Sequence, residues 1–242
     1  MFATSITRRP AAERFHSQLD WLDSWHSFSF SSHYDPAWMG FGPLRVINDD
    51  TIAAGRGFGM HPHRDMEIIT VMVEGELHHR DSMGHAEVLR AGEVQRMSAG
   101  TGVVHSEING GDQPCRLLQI WIEPSSTGIA PAYEQKPFAL PGGWTRLLDP
   151  QRREGAMAVH RPVQLWRARL QPGDLHACVV GGALTSVERV FDINELGGLF
   201  SLVALDTDVG DGEILRHIYQ DGRLKLLVGD RLCDDNGIVC NK

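Results

Sequence analysis

Residues 55–123 alternate between short apolar segments and turns that contain glycine, and this rhythm constrains the fold more than any other feature. The clearest segment is MEIITVMVEG, whose β-branched and apolar residues are typical of a strand that closes at Glu74-Gly75. With 26 glycines and 12 prolines among 242 residues, turn residues occur along the whole chain. Short strands at regular spacing predict an all-β sandwich or barrel. The other candidates are the hairpin ELHHRDSMGHAEVL and the strands AGEVQRMSAG and CRLLQIWIEP.

The segment EPSSTGIAPAYEQKPFALPGG is the best candidate for a domain boundary, because it is rich in proline, serine and glycine and lacks apolar alternation. A chain of this length can form one large β domain or two of roughly 100–120 residues. We predict an N-terminal domain over 1–124, a linker over 125–143 and a C-terminal domain over 144–242. Within the last of these, LTSVERVFDINELGGLFSLVALDT fits either a short helix or further strands.

Charge and composition exclude several classes of function. The formal net charge is −8 and no stretch concentrates Lys and Arg, so direct binding to nucleic acid or to a membrane surface is not expected. No apolar run approaches the roughly 18–20 residues of a transmembrane helix, and the first 18 residues show no pattern of a secretory signal. The few cysteines predict a cytoplasmic protein without a disulfide scaffold. They are Cys115, Cys178, Cys233 and Cys240, of which the last two are expected as unpaired thiols, with a disulfide or metal clip as the alternative.

Two motifs place metal-binding residue types two positions apart, His61-Pro-His63 and His105-Ser-Glu107. In a strand, residues i and i+2 point to the same face about 7 Å apart, so each pair is expected to share a face. If this alternation continues past His63, three apolar residues lie on the same face as His61 and His63. We therefore predict that this face, with both histidines, points into the barrel. These apolar residues are Ile69, Val71 and Val73.

Three imidazoles and one carboxylate form a ligand set that suits Fe(II), Mn, Co, Ni, Cu or Zn and matches Mg or Ca poorly. Either pair alone would more often be a solvated surface pair than a ligand set. Two pairs with the same spacing, each beside glycine turns, favour a metal site.

Gly55–His63 and Gly92–His105 each combine glycine turns with histidines, and they resemble the first and second cupin motifs. The second departs from the usual Pro-x-Gly-x-x-His, because four residues separate Gly100 from His105. Further stretches resemble the pirin family within the cupins, and its bacterial quercetinase-like branch above all, over residues 18–137. These stretches are WHSFSF, HPHRDMEIIT, SAGTGVVHSE and YEQKPF.

The resemblance implies an all-β bicupin, in which two β-barrels of the double-stranded β-helix, jelly-roll-like type pack together and the C-terminal barrel lacks a metal site. The similarity weakens after about Pro172. The resemblance also implies one divalent transition metal, with Fe(II) preferred over Ni, Cu, Mn, Co or Zn. The implied ligands are His61, His63, His105 and Glu107.

Glu67 shares the predicted inward face but lies four residues past His63, about 13 Å away along a straight strand. We therefore expect it beside the ligands or as a buried carboxylate of the core, rather than as a ligand. His26 and His33 are expected at the mouth of the pocket, because the family fold wraps its N-terminus against the barrel. Exposed side chains are expected for the hairpin histidines His78, His79 and His85.

The resemblance implies a dioxygenase that cleaves a flavonol such as quercetin with O₂ and releases CO. The metal would acidify the bound hydroxyl, and Glu107 would be the catalytic base that accepts its proton. The alternative is an iron-binding regulatory or redox-sensing protein that acts through a protein partner, which suits the acidic charge; a structural cupin with an adventitious metal is the third possibility. The enzyme hypothesis predicts a small phenolic substrate and O₂ as partners, and a monomer is slightly preferred.

Overall fold

The computed structural model of the protein describes residues 11–139 and 143–169, together with six strands between residues 175 and 240. Strands make up nearly all of the regular structure in these residues, so the predicted all-β class is confirmed. The chain divides into two compact units, of which the first comprises Glu13–Phe138 and Val159–Arg161. Among the described residues, no helix has the length and apolar character needed to cross a membrane.

The first unit is built from antiparallel strands in two sheets. Its strands are β1 (Phe15–Gln18), β2 (Leu22–His26), β3 (Leu44–Ile52), β4 (Gly57–His63), β5 (Glu67–Glu74), β6 (Glu76–Asp81), β7 (Ala86–Arg90), β8 (Glu93–Ser98), β9 (Val103–Ile108), β10 (Cys115–Ile122) and β11 (Ala132–Pro137). The larger sheet has the order β1-β2-β3-β10-β5-β8-β11, and the smaller has the order β4-β9-β6-β7. The two strands that carry the predicted metal ligands, β4 and β9, are therefore neighbours in the smaller sheet.

The chain changes sheet between β4 and β5, and this change resets the alternation of side chains. Asp65 lies in this connection with a φ of +49°, a left-handed conformation that interrupts the extended backbone. Thr70 of β5 donates a hydrogen bond from its hydroxyl to the Glu107 carboxylate, so the even-numbered side chains of β5 face the predicted site. The prediction that Ile69, Val71 and Val73 share the face of the histidines is therefore wrong. Nearly all of β5 is buried on both faces, so its apolar residues do not show which of the two faces points to the site.

Apolar side chains from both sheets pack around the even-numbered face of β5. Met72 belongs to a buried cluster with Leu77 and Leu117, and Ile68 packs with Met97 and Val103 in a second cluster. Burying one such side chain stabilises a fold by about 1.5–3 kcal/mol. These clusters lie along the strand on either side of Thr70 and hold the strands that carry the site.

Residues 132–137, inside the segment predicted as a linker, form strand β11. This strand pairs with β8 along its whole length, and its Tyr133 hydroxyl lies 2.8 Å from the side-chain oxygen of Gln135 and 3.1 Å from that of Gln95, within reach to donate a hydrogen bond to either. Strand β11 lies at the edge of the sheet, and nearly all of its side chains are half-buried. Its sequence therefore lacks the apolar alternation that marks a strand with one buried face, and its composition is that of a loop. This part of the predicted linker is therefore a strand of the first unit, and the domain boundaries stay predictions.

The second unit is also built from antiparallel strands. Its strands are β12 (Gly143–Leu148), β13 (Val163–Arg169), β14 (Leu175–Val179), β15 (Leu202–Asp206), β16 (Ile214–Gln220), β17 (Arg223–Val228), β18 (Arg231–Cys233) and β19 (Val239–Cys240). A three-stranded sheet has the order β12-β13-β15, and a five-stranded sheet has the order β14-β16-β17-β18-β19. The stretch that fitted either a helix or strands is described at Leu202–Asp206, where it is a strand, and its other residues lie outside the described chain. A second barrel without a metal site stays a prediction.

Candidate metal centre

Three histidines meet across the neighbouring strands β4 and β9. The register of the pair places His61 directly opposite His105, and His63 lies two residues further along β4. The ring centroids are 4.4 Å apart for His61 and His105, 4.8 Å for His61 and His63, and 4.9 Å for His63 and His105. One nitrogen of each ring lies within 4.8 Å of the others, which is close enough for the three to share one ion.

The backbone near His61 selects the tautomer of its ring. The His61 Nδ1 atom lies 2.7 Å from the carbonyl oxygen of Gly59. A carbonyl only accepts, so Nδ1 carries the proton and donates it. The lone pair is then on Nε2, the nitrogen that remains available to a metal, and the hydrogen bond orients the ring for binding.

His105 is fully buried, and both of its ring nitrogens lack a hydrogen-bond partner. Burial, followed by repulsion from His61 and His63, lowers the pKa of His105 to about 2. Burial and His61 lower the pKa of His63 to about 4. Leaving a buried polar group without a partner costs about 1–3 kcal/mol, so an ion bound to His105 would offset a real penalty. The neutral rings and the unpartnered nitrogens fit a metal ligand set.

Glu107 lies two residues after His105 on β9, with its carboxylate completely buried. It accepts hydrogen bonds from the Thr70 hydroxyl at 3.2 Å and from the Gln119 amide at 2.9 Å. Burial raises the pKa of Glu107 to about 7; the Thr70 and Gln119 hydrogen bonds oppose this rise and the charge of Asp50 adds to it. Among the described residues, Glu107 groups within 4.8 Å with His105 and His79, and it does not join the three histidines in one group of four.

A cavity of about 180 Å³ opens beside this cluster. His61, His63 and Glu107 line it, and so does His26, one of the two histidines expected at the pocket mouth; the other, His33, is not among the lining residues. Its apolar lining includes three aromatic side chains, which suit a flat ring ligand. These are Phe30, Phe58 and Trp121.

The sequence of the chain is similar to those of known proteins. The family model named Pirin matches residues 8–122. A quercetin 2,3-dioxygenase of Escherichia coli (strain K12) is 53% identical over 163 residues, which cover 67% of this chain and 71% of that relative. The chain belongs to the pirin family.

Solved structures agree with this assignment. The bacterial pirin YhhW of Escherichia coli, in complex with nickel(II), superposes with a TM-score of 0.68 at 38% identity and covers 88% of this pirin and 98% of its own chain. A quercetin 2,3-dioxygenase of Acinetobacter baumannii shares the fold, with a TM-score of 0.62 at 20% identity over 95% of this chain and 85% of its own. The predicted cupin fold of this pirin is thereby confirmed.

His79 was expected to be exposed on a hairpin, and that expectation is wrong. Its side chain is buried, because the pairing of β6 with β9 places His79 opposite Glu107. The ring centroid lies 5.3 Å from that of His105, and the ring nitrogen Nε2 lies 3.1 Å from an Asp81 carboxylate oxygen. His85, by contrast, is partly exposed and shares the same Asp81 oxygen at 2.9 Å. His79 is thus a buried neighbour of the candidate ligands that local sequence did not indicate.

Glu67 belongs to a different part of this pirin from the cavity. It lies on the odd-numbered face of β5, and its buried carboxylate accepts a hydrogen bond from Ser98 at 2.9 Å and lies 3.0 Å from His160 Nδ1. Arg96 donates to the same Ser98 hydroxyl at 2.7 Å. Glu67 does not lie beside the ligands, as one expectation had it, because the odd-numbered face of β5 points away from them. The alternative expectation, a buried carboxylate of the core, agrees with these contacts.

Replacing Glu67 is therefore expected to change stability and not metal content. The Glu67→Ala variant leaves Ser98 and His160 without their acceptor and should lower the free energy of unfolding by about 1–3 kcal/mol. The Glu67→Gln variant keeps an acceptor oxygen and should lose less. Denaturant unfolding and elemental analysis of both variants test this, and a loss of metal from Glu67→Gln would contradict it.

Asp50 of β3 is a second buried carboxyl group in the cavity, and sequence patterns did not single it out. It accepts a short hydrogen bond from the Ser24 hydroxyl, and both residues line the cavity. Burial raises the pKa of Asp50 to about 7, the hydrogen bond from Ser24 opposes the rise, and the charge of Asp49 adds to it. The sequence of β3 has no pattern that distinguishes it from other buried strands. Only the order of the strands in the sheet shows that the Asp50 carboxyl group faces the site.

The raised pKa makes stability depend on pH in a defined direction. Between the ordinary pKa of 3.8 and about 7, folded Asp50 keeps its proton while the unfolded chain loses it, so stability falls as pH rises through this window. Relative to Asp50→Asn, the metal-free protein should lose about 1.4 kcal/mol for each pH unit in that window, with no further loss above it. Denaturant unfolding at pH 4.5–8 measures the difference. A difference that does not vary with pH would contradict the prediction.

Proposed function

We propose that this pirin is a metal-dependent dioxygenase that cleaves a flavonol such as quercetin with O₂ and releases CO. The observation that carries the proposal is the cluster of three histidines at an aromatic-lined cavity that also holds a buried carboxyl group. The name and identity of the Escherichia coli relative support the reaction class. The substrate and the release of CO are part of the proposal.

His61, His63 and His105 would hold one divalent transition metal, with Glu107 as the fourth ligand. Fe(II) is the preferred ion, and nickel(II) in the related YhhW structure supports a site that accepts several metals. Coordination by Glu107 requires its carboxylate to exchange a hydrogen bond from Thr70 or Gln119 for the metal. When bound, the metal would lower the pKa of a coordinated hydroxyl and favour reaction with O₂.

The protein's own groups would bind the flavonol and receive its proton. Phe30, Phe58 and Trp121 offer aromatic surfaces to the flavonol rings and keep water from the reacting carbons. Glu107 accepts the proton of the flavonol hydroxyl, because it is a carboxyl group that lines the cavity; in the metal-free protein, burial raises its pKa to about 7. Burial lowers the pKa of His63 and of His105, so their lone pairs are available to a metal, and Glu107 is the base.

Stoichiometry tests the proposed reaction. Untagged protein loaded with Fe(II) or Ni(II) is mixed with quercetin, and flavonol consumption, O₂ uptake and CO release are measured together. Equal amounts of the three are expected. Full metal binding without turnover of any member of a panel of phenols and enols would overturn the proposal.

A further inference from the structure

A continuous chain of hydrogen bonds leads from the cavity to the protein surface. The Ser24 hydroxyl donates to Asp50 and lies 3.3 Å from His26 Nδ1. The other nitrogen of the same ring, Nε2, lies 2.9 Å from the Ser17 hydroxyl, which lies 3.0 Å from His33 Nε2. The inner three residues are buried and the outer two are partly exposed. The chain therefore joins a buried carboxyl group to an imidazole at the surface.

Every member of this chain can both take up and give up a proton. Burial lowers the pKa of His26, with the charges of His33 and His16 acting in the same direction and a hydrogen bond to Asn48 against it, so the ring is neutral. A neutral imidazole has one N–H and one lone pair, which allows it to receive a proton on one nitrogen and release one from the other. Hydroxyl groups act in the same way, so Ser24 and Ser17 complete the connection.

Among the described residues, the side chains that bond to Glu107 are the Thr70 hydroxyl and the amides of Gln119 and Gln95. The Thr70 hydroxyl in turn lies 3.0 Å from the Gln119 amide oxygen, so these contacts lead to amides, which do not take up and release protons at neutral pH as imidazoles and carboxyl groups do. The proposed reaction converts a neutral flavonol and O₂ into CO and a carboxylic acid ester, and that acid is ionised at neutral pH. One proton must therefore leave the cavity in each turnover.

We propose that Asp50, Ser24, His26, Ser17 and His33 form a proton relay between the cavity and the solvent. Under the proposed function, on which this role rests, Glu107 takes the proton from the flavonol hydroxyl and passes it across the cavity, which both carboxyl groups line, to Asp50. Asp50 receives it, Ser24 and His26 each accept a proton on one side and release one on the other, and Ser17 passes a proton to His33. The imidazolium of His33 then loses the proton to water, so that only the two ends change charge.

Ser17 is the best position for a test, because it lies outside the cavity and between the two imidazoles. The Ser17→Val variant removes the hydroxyl and fills its space, whereas Ser17→Thr has nearly the same shape and keeps a hydroxyl. Both residues are favourable in a strand such as β1. Gln18→Ala is the control on the same strand, because Gln18 is exposed and is not a member of the relay.

The first measurement is stopped-flow mixing of the metal-loaded protein with quercetin without O₂, in weak buffer with a pH indicator. Proton release should slow by about 10-fold or more in Ser17→Val, a smaller effect than loss of an acid-base group itself, while quercetin affinity stays unchanged. Ser17→Thr and Gln18→Ala should release protons at the wild-type rate. Equal rates in Ser17→Val and the wild type, or equal slowing in Ser17→Thr, would overturn the relay.

The second measurement needs no flavonol and separates the two proposals. After a pH jump from 5 to 9, infrared spectroscopy follows the carboxylic acid band that is missing from Asp50→Asn. The band should decay more slowly in Ser17→Val than in Ser17→Thr, and equal decay would overturn the relay. If the band decays more slowly in Ser17→Val than in Ser17→Thr, but the wild-type protein does not bind quercetin, the proposed function is overturned and the relay is not.

Discussion

The His105→Ala variant is expected to bind no metal at concentrations that saturate the wild type. His105 is the histidine that β9 contributes to the cluster, and without it two rings of β4 remain, with Glu107 held by Thr70 and Gln119. Losing a residue that only orients a ligand costs about 10–100-fold in metal affinity, so losing the ligand itself should cost more than about 100-fold. Elemental analysis and titration calorimetry of untagged protein measure this, since a polyhistidine tag binds the same metals. Flavonol turnover should disappear with the metal.

The matched control for this variant is His78→Gln. His78 is on β6 beside His79, but its side chain is 42% exposed and its ring lies 2.9 Å from Glu76, away from the cluster. Metal content and turnover should stay at wild-type values in this control. If His105→Ala retained one metal per chain with wild-type affinity, the proposed ligand set would be wrong.

The Glu107→Gln variant should lose flavonol turnover by about 10²–10⁴-fold, the usual loss when a general base is removed. Glutamine has the same size and can keep hydrogen bonds to Thr70 and Gln119, but it does not accept a proton at neutral pH. Without O₂, the absorption band of bound quercetin should shift to that of its anion in the wild type and should not shift in the variant. Steady-state kinetics and anaerobic absorption spectra measure the two effects.

Metal content separates the two roles of Glu107. If the carboxylate is both ligand and base, Glu107→Gln should retain part of its metal on three histidines and still fail to form the anion. Loss of all metal would restrict Glu107 to coordination, and full turnover would exclude it from the reaction. Glu67→Gln is the control, since Glu67 is also a buried carboxyl group but bonds to Ser98 and His160.

The two histidine-containing motifs could be predicted from sequence because each lies within one strand. Alternation along a single extended strand is a property of the backbone, so His61 with His63, and His105 with Glu107, share a face without help from the rest of the fold. The same reasoning failed beyond His63, where Asp65 interrupts the strand and β5 begins in another sheet. For this reason the face assigned to Glu67 was wrong.

Other parts of the site depended on strand order. His79 lies near the ligands because β6 pairs with β9, and Asp50 lines the cavity because β3 belongs to the larger sheet, which faces the site. No local sequence pattern marks either position. The relay has the same origin, because the β1–β2 pair places His26 and Ser17 beside each other and β3 supplies Asp50. A sequence pattern reports neighbours along the chain, whereas these groups become neighbours across strands.

The all-β class, the resemblance to pirins and the histidines that could share a face were predictable from the sequence, because they follow from local composition and the two-residue period of a strand. The pairing of β4 with β9 was not predictable in this way; it brings one nitrogen of each of the three rings within 4.8 Å of the others and buries His105 without hydrogen-bond partners. The tertiary structure also decided which carboxyl groups face the cavity. Burial and strand order are properties of the packed sheets, and they raise the pKa of Glu107 and Asp50 to values at which proton transfer at neutral pH is possible.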